Sequence, residues 1–528
     1  MMNDQLPLSR LDRRRFLGLA GAATFSVAFS GPFSVGRASA ARRLGGYPFT
    51  LGVASGDPRP RAVVLWTRLA PDPLNGGGMP EEPIPVRWLV AQNERLTRVV
   101  RRGVALARPE NAHSLHVDVR GLAPGRDYFY AFEVAGERSA VARTRTAPGR
   151  SSVEELRFAF ASCQNYTAGL YPAYANLARE DIDVVVHLGD YIYEGAGSAT
   201  DFRQNALHQE VMTLEEYRNR HAQYKTDPDL QAAHAAFPWI LTWDDHEVEN
   251  NYADEISEPP TDPEAFLLRR AAAYQAYWEH LPLRRFSRPI GPDLRLYRRL
   301  SFGDLVEFNV LDTRQYRSDQ PGRCAENEKL PSGYCPRAAD PAQMMLGETQ
   351  KRWLFEGLDA SSSLWNVLAQ QVRFAQADGD PDPARRDFGG GDNWNGYVAE
   401  RQEILDFIAE RRPANPVVLT GDIHTNWVYD LKADFDDASS ETLATEFIGT
   451  AISSGGDPAT RTVRLGGTPD NPHERFFNNN KGYVRCTVDQ ERWQTDFRVV
   501  PTVRDREAVA ETLATFVVEE GRAGAERA

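Results

Sequence analysis

A chain of 528 residues is longer than one hydrophobic core ordinarily organises, so two domains with additions are expected. Its apolar and charged fractions, 41% and 26%, are those of a soluble globular protein. The formal net charge of -13 argues against nucleic-acid binding and against an anionic membrane surface as main partner. An anionic substrate stays open, because bound cations can invert the local field.

Residues 1–40 form an address. Asp12-Arg13-Arg14-Arg15-Phe16-Leu17 matches a twin-arginine signal, an apolar Gly/Ala-rich stretch follows to about Phe33, and Ala38-Ser39-Ala40 offers a small-x-small cleavage site. The alternative is a basic tail before a membrane anchor, but Gly18, Gly21, Gly31 and Pro32 interrupt the stretch. The expectation is a secreted or periplasmic protein with no stable membrane anchor, delivered by the twin-arginine export machinery. From 45 to 147 short strands such as Ala62 to Leu69, Val86 to Val90 and Leu115 to Val119 alternate with Pro/Gly turns. Leu122-Ala123-Pro124-Gly125-Arg126-Asp127-Tyr128 resembles the tyrosine corner of immunoglobulin and fibronectin-III-like sandwiches. A linker around Thr146 to Ser152 leads into residues 153–500, where strands alternate with helices. Strands are expected ending at Cys163, Asp190 and Trp243, and around Leu305 to Leu311, Trp365 to Gln371 and Val417 to Thr420. Helices are expected over Tyr171 to Glu180, Leu214 to His221, Asp229 to Ala236, Pro263 to His280, Gly347 to Leu358 and Tyr397 to Arg411. Residues 501–528 are expected to be a helix, Arg504 to Glu519, that covers a site entrance, and a disordered charged tail. The loop Ala377 to Asn395 is either mobile or a rim of the site.

Four cysteines fit an oxidising compartment. Cys324 and Cys335 flank a Pro/Gly/Asn-containing loop and suggest a disulfide, two unpaired thiols being the alternative. Cys486 alternates as a strand residue, a buried inert thiol, and Cys163 stands at a strand end.

The chemistry gathers at strand ends. Val184-Val185-Val186-His187-Leu188-Gly189-Asp190 is an apolar run that delivers a carboxylate at its tip, and Val417-Val418-Leu419-Thr420-Gly421-Asp422-Ile423-His424 delivers two ligand-type side chains, two residues apart. A phenolate from Tyr193 and a thiolate from Cys163 together favour iron. Asp244-Asp245-His246-Glu247 needs a cation to offset adjacent acids, and Asn250 adds the neutral oxygen that Ca²⁺ accepts. Taken singly, Asp190 could cap a helix, Tyr193 could be core and Cys163 a plain buried thiol. A two-metal carboxylate site suits displacement at phosphorus, because metals supply hydroxide near neutral pH and neutralise phosphoryl oxygens. A protonated His beside such a site can supply a proton to the leaving alkoxide. Arg314 would grip non-bridging oxygens, or else pair with Asp312 or a neighbouring acid.

At Phe160-Ala161-Ser162-Cys163-Gln164, His187-Leu188-Gly189-Asp190-Tyr191-Ile192-Tyr193-Glu194, Trp243-Asp244-Asp245-His246-Glu247-Val248-Glu249-Asn250-Asn251-Tyr252, Leu311-Asp312-Thr313-Arg314-Gln315-Tyr316-Arg317 and Leu419-Thr420-Gly421-Asp422-Ile423-His424 the chain resembles the alkaline phosphatase D family of calcineurin-like metallophosphatases. The resemblance runs from about Phe49 to Val500. It implies an α/β fold, a two-sheet β-sandwich metallophosphatase core flanked by helices and preceded by an all-β domain. It implies a phosphodiesterase and phosphomonoesterase with Fe(III) and Ca²⁺. Asp190 would bridge the metals, with Cys163, Tyr193 and His424 on iron and Asp245 and Asp422 on the second metal, Asn250 taking the remaining position. His246 would be the proton donor. The expected partners are phosphate mono- and diesters, and the expected state is a monomer. A phospholipase D-type enzyme keeps the fold and would call for an exposed apolar rim near the long loop. A calcium-stabilised binding protein or a redox iron protein explains Cys163, Tyr193 and His246 less well.

Overall fold

The computed structural model describes residues 44–528 except 151, 152, 259, 381, 383 and 384. The twin-arginine signal expected over 1–40 lies outside the described residues, among which no helix is long and apolar enough to cross a membrane.

Strands that read as unbroken apolar runs are buried on both faces, as such runs require. Val184–Leu188, Pro238–Thr242, Trp365–Ala369 and Pro416–Thr420 are buried at every residue. They belong to two large sheets. One has ten strands in the order Glu526–Arg527, Glu511–Glu519, Arg492–Val499, Gly482–Asp489, Glu155–Ala161, Val184–Leu188, Pro238–Thr242, Val53–Arg59, Ala62–Arg68 and Ser114–Arg120. The other has eight, in the order Arg298–Phe302, Val306–Val310, Trp365–Ala369, Pro416–Thr420, Thr442–Ile448, Asn426–Lys432, Glu474–Asn478 and Val463–Leu465. Alternate residues sort between faces: Phe158, Phe160, Val186 and Ile240 meet Phe308, Val367, Val417 and Phe447 in the layer between the sheets. Phe158 stands edge-on to Phe308, ring centroids 5.2 Å apart. Burying each such side chain contributes about 1.5–3 kcal/mol, so sheet register follows the apolar face.

Ala159, Val185, Trp239 and Leu241 turn the other way, towards helices that include Leu214–Lys225 and Pro263–His280. Leu368, Val418 and Tyr429 do the same for Gly347–Ala360 and Val398–Arg411. The architecture is the expected two-sheet sandwich flanked by helices.

Two features differ from expectation. The first strands are not a free-standing sandwich. A five-stranded sheet built on Val99–Ala107, Ile84–Ala91 and Asp127–Val134 packs against Val53–Arg59, Ala62–Arg68 and Ser114–Arg120, and those three belong to the ten-stranded sheet. The junction is a parallel pairing of Ser55 with Pro238 and Gly56 with Trp239. Gly56 permits it, since a Cβ there would stand 2.6 Å from the Pro282 carbonyl oxygen. The tyrosine corner is present, the Ala123 N–H donating to the Tyr128 hydroxyl at 2.9 Å.

The second difference is at the C-terminus, where the helix expected over Arg504 to Glu519 is corrected to a strand. Glu511–Glu519 runs antiparallel to Arg492–Val499, and Glu526–Arg527 pairs with it in turn, so the tail is held too. Ala514, Phe516 and Val518 alternate inward, with Phe516 5.4 Å from Phe476 between ring centroids. Period-two burial of these residues outweighs the helical propensity of the segment before them.

Candidate metal centre

The parallel strands Glu155–Ala161, Val184–Leu188 and Pro238–Thr242 end side by side, and Pro416–Thr420 ends opposite them across the sandwich. Their last residues leave the sheets in strained conformations: Cys163, Asp190, Asp422 and His424 all have positive φ, between 55° and 63°. Such strain persists only where the surroundings hold it, and it marks functional sites. Here the hooks are visible. The Cys163 N–H donates to the Gly189 carbonyl at 3.1 Å. The Glu247 carboxylate accepts the N–H groups of Asp190, Tyr191 and Asp244 at 3.1, 2.6 and 2.8 Å, binding two strand ends together. Gly189, at φ 107°, allows that approach, because a Cβ there would lie 2.5 Å from the Asp244 nitrogen.

Three donor sets result, each with ligand atoms within 4.8 Å of one another: Cys163, Asp190 and His424; Asp190, Asp245 and His246; Asp244, Asp245 and Asp422. Asp190 belongs to the first two and Asp245 to the last two, so the sets form one continuous cluster. The Tyr193 hydroxyl joins the first, donating to Asp190 Oδ2 at 2.6 Å and lying 3.1 Å from His424 Nε2. Ser454 Oγ stands 2.8 Å from that hydroxyl and 2.7 Å from the Cys163 carbonyl. Burial, then the charge of Asp190, raises both the Cys163 thiol and the Tyr193 phenol well above their ordinary values. Asp190 Oδ1 and Asp244 Oδ2 are buried and have no hydrogen-bond partner, which is costly for a carboxylate oxygen that no cation satisfies. This donor set fits bound metal.

The acids are offset unevenly. Burial raises the Asp244 carboxyl well above the ordinary range, against the pull of Arg314. Burial also takes Asp422 up to about 8, again opposed by Arg314. Asp245 goes the other way: burial is outweighed by Arg314, His246 and the Asn251 N–H, which donates to Asp245 Oδ2 at 2.7 Å. His246 is raised well above the usual imidazole value; burial opposes this, but Glu194 and then Asp245 dominate. Its Nδ1 lies 2.7 Å from Glu194 Oε2, which leaves Nε2 available as a proton donor.

Two residues singled out from sequence stand differently. Arg314 is fully buried and its fork is occupied: Nε on Asp244, NH1 on Asp392 at 2.7 Å and NH2 3.4 Å from Asp422 Oδ1. Of the two roles open to it, the structure holds the pairing with neighbouring acids. Asn250 is exposed and meets the site through its backbone, donating to Glu194 Oε1 at 2.8 Å. Glu194, Glu247, Asp392 and Ser454 had no role assigned from sequence; for the first two, the signal was an acid inside each long motif. Asp392 makes the Ala377 to Asn395 loop a rim of the site, through Arg314 and Arg317. Cys324 and Cys335 form a disulfide, and Cys163 and Cys486 are free and buried.

A two-sheet sandwich that brings acids, imidazoles, a phenol and a thiol together at its strand ends defines a metallophosphatase. Residues 158–497 match the model of the PhoD-like phosphatase family, and 36–148 match that of the PhoD-like phosphatase N-terminal domain. Alkaline phosphatase D of Bacillus subtilis (strain 168) is 48% identical over 530 residues, covering 97% of this chain and 88% of the relative. A solved structure of PhoD superposes with a TM-score of 0.84 at 48% identity, covering 91% of this chain and 92% of that one. The purple acid phosphatase PPD1 of yellow lupin shares the fold, with a TM-score of 0.54 at 11% identity over 90% of this chain and 74% of that one. The chain belongs to the PhoD-like phosphatase family and is a phosphoric ester hydrolase.

Proposed function

We propose that the protein is an exported phosphodiesterase and alkaline phosphatase that releases phosphate or alcohol from extracellular organic phosphates. Fe(III) would be held by Cys163, Asp190, Tyr193 and His424, and Ca²⁺ by Asp190, Asp245 and Asp422 with Asp244 beside them. The observation that carries the reading is the meeting of Cys163, Asp190, Tyr193 and His424 at one point, because a thiol and a phenol among hard acids suit a trivalent cation. Carboxylates around the neighbouring set favour Ca²⁺ over metals that prefer imidazole. When bound, such a pair supplies Lewis acidity towards phosphoryl oxygens and lowers the pKa of water. The chain's own contribution is positional. Glu247 fixes the tips carrying Asp190 and Asp244, and Arg220 donates to the Tyr193 and Gly195 carbonyls, anchoring the segment between. His246, kept protonated by Glu194, presents Nε2 to a leaving alkoxide.

The twin-arginine signal supports export of the folded, metal-loaded protein. The phospholipase D-type reading called for an apolar rim near residues 377–395, and none of the large exposed apolar side chains among the described residues comes from that loop. The test is the initial rate on a chromogenic phosphodiester at alkaline pH, with calcium present and then chelated. Strong calcium-dependent turnover, exceeding that on the matching monoester, is expected. No turnover from protein that retains its iron would overturn the reading.

A further inference from the structure

A transferring phosphoryl group needs hydrogen-bond donors aimed at its non-bridging oxygens. The family motif offers Arg314 and Arg317; the fork ends of both are committed, and Nε of Arg317 is buried without a partner. Arg314 is spent on Asp244, Asp392 and Asp422, and NH2 of Arg317 donates to the Asn251 and Tyr252 carbonyls at 2.9 Å each and to Asp392 at 2.8 Å. His246 gives one nitrogen to Glu194.

Lys481 is different. It lies between the strands Glu474–Asn478 and Gly482–Asp489, where the chain crosses from one sheet to the other beside the strand tips. It is 7% exposed, and its ammonium makes one hydrogen bond, 3.0 Å to the carbonyl of His424, which also accepts the Thr450 hydroxyl at 2.8 Å. No acid pairs with it among the described residues; the titratable groups nearest to it are Cys163 and Asp457. Asp457 is engaged elsewhere, accepting the Thr502 hydroxyl at 2.6 Å and the Val503 N–H at 2.8 Å. Across from the ammonium runs Ser453-Ser454-Gly455-Gly456, fixed to the centre by Ser454. Gly455 has φ 76° and faces the ammonium, a Cβ there coming to 3.7 Å from the Lys481 nitrogen. A largely buried ammonium with donors to spare is costly unless an anion comes to it.

Resting on the phosphoryl-transfer reading above, we propose that Lys481 binds a non-bridging phosphoryl oxygen of the ester, the contact that Arg314 is not free to make. The site takes the phosphoryl group itself, so mono- and diesters and free phosphate all engage it.

The test uses the metal-loaded protein with inorganic phosphate as probe. Lys481→Gln keeps a polar hydrogen-bond donor but carries no charge, and Lys481→Arg restores the charge. Loss of one charge-assisted bond predicts phosphate binding, measured by calorimetry, weakened about ten- to a hundredfold in K481Q. KM for the chromogenic diester should rise in step, iron and calcium contents should equal those of the parent, and K481R should recover most of the loss. Unchanged phosphate affinity in K481Q overturns the assignment. Weakened binding that tracks lost metal overturns it too, and would make Lys481 a support for the His424 loop. In the unaltered protein, phosphate should shield Lys481 from reductive methylation, and equal labelling with and without phosphate would count against the contact. If the parent hydrolyses no phosphate ester yet binds phosphate through Lys481, the functional reading fails while this assignment stands.

Discussion

Replacing Glu194 by Gln tests the proton-donor role proposed for His246. The carboxylate sits 2.7 Å from Nδ1, with the two side chains 7% and 20% exposed, so the pair is only weakly screened. A charge-assisted hydrogen bond of this kind contributes about 1.5–3 kcal/mol, and one pKa unit corresponds to about 1.4 kcal/mol. Its loss should lower the His246 pKa, since Glu194 is the main cause of its rise. The sign follows from the protonation order. His246 is protonated below its raised value and loses the proton as pH rises through it, so E194Q moves the alkaline limb of the rate profile to lower pH. The stabilisation that the pair lends the fold runs the same way, complete below the ordinary 6.5 and lost above the raised value. The assay compares alkyl and nitrophenyl phosphodiesters across the alkaline range on protein of verified metal content. At the pH where the parent limb begins, alkyl esters should slow about ten- to a hundredfold, while nitrophenyl esters, whose leaving group needs little protonation, change much less. Equal slowing of both, or an unmoved limb with full metal, would refute the role.

Three further outcomes test other parts of the structure. Cys163→Ser and Tyr193→Phe should each lose iron and most activity, measured by elemental analysis beside turnover; retained iron in either would remove that residue from the ligand set. Gly189→Ala places a methyl against Asp244 at φ 107°, so it should cost more than about 2 kcal/mol in denaturant melts and abolish turnover. A stable, active variant would show that this approach is not needed. Truncation after Pro501 removes the strand that covers Phe476 and Phe497, so insoluble protein is expected. A soluble truncate with improved access to larger diesters would restore the covering role expected of that segment.

The core was legible because unbroken apolar runs ending in Gly-Asp occur where both faces of a strand are covered, and a carboxylate beyond such a run can point only out of the sheet. Pro263–His280 was legible to the residue, from apolar residues at helical spacing that stop before Pro282. The C-terminal strand was not, because Glu511 to Ala514 suits a helix and only the facing Phe476 and Phe497 decide the issue. Val53–Arg59, an inner strand of the ten-stranded sheet, carries no clean apolar alternation, since Ser55, Gly56 and Asp57 interrupt it; Asp57 is buried because Arg298, far along the chain, pairs with it at 2.8 Å. At the site, ligand-type residues could be named from their positions at strand ends. Whether Arg314 faces a substrate or its own acids depended on Asp392, which arrives from a loop without pattern. The duty of Glu247 towards three backbone N–H groups likewise requires two strands to be seen together.

The shared ten-stranded ladder bears on how this enzyme can be cut and recombined. Val53–Arg59 is the lateral neighbour of Pro238–Thr242, the strand that carries Asp244 and Asp245. The N-terminal module is therefore no detachable cassette. Excising it would bare a row of unpaired amides alongside the strand that leads to Asp244 and Asp245 and invite edge-to-edge aggregation. A chimaera that exchanges this module between relatives should work only where the crossover keeps Gly56 and its seat against Trp239 and Pro282.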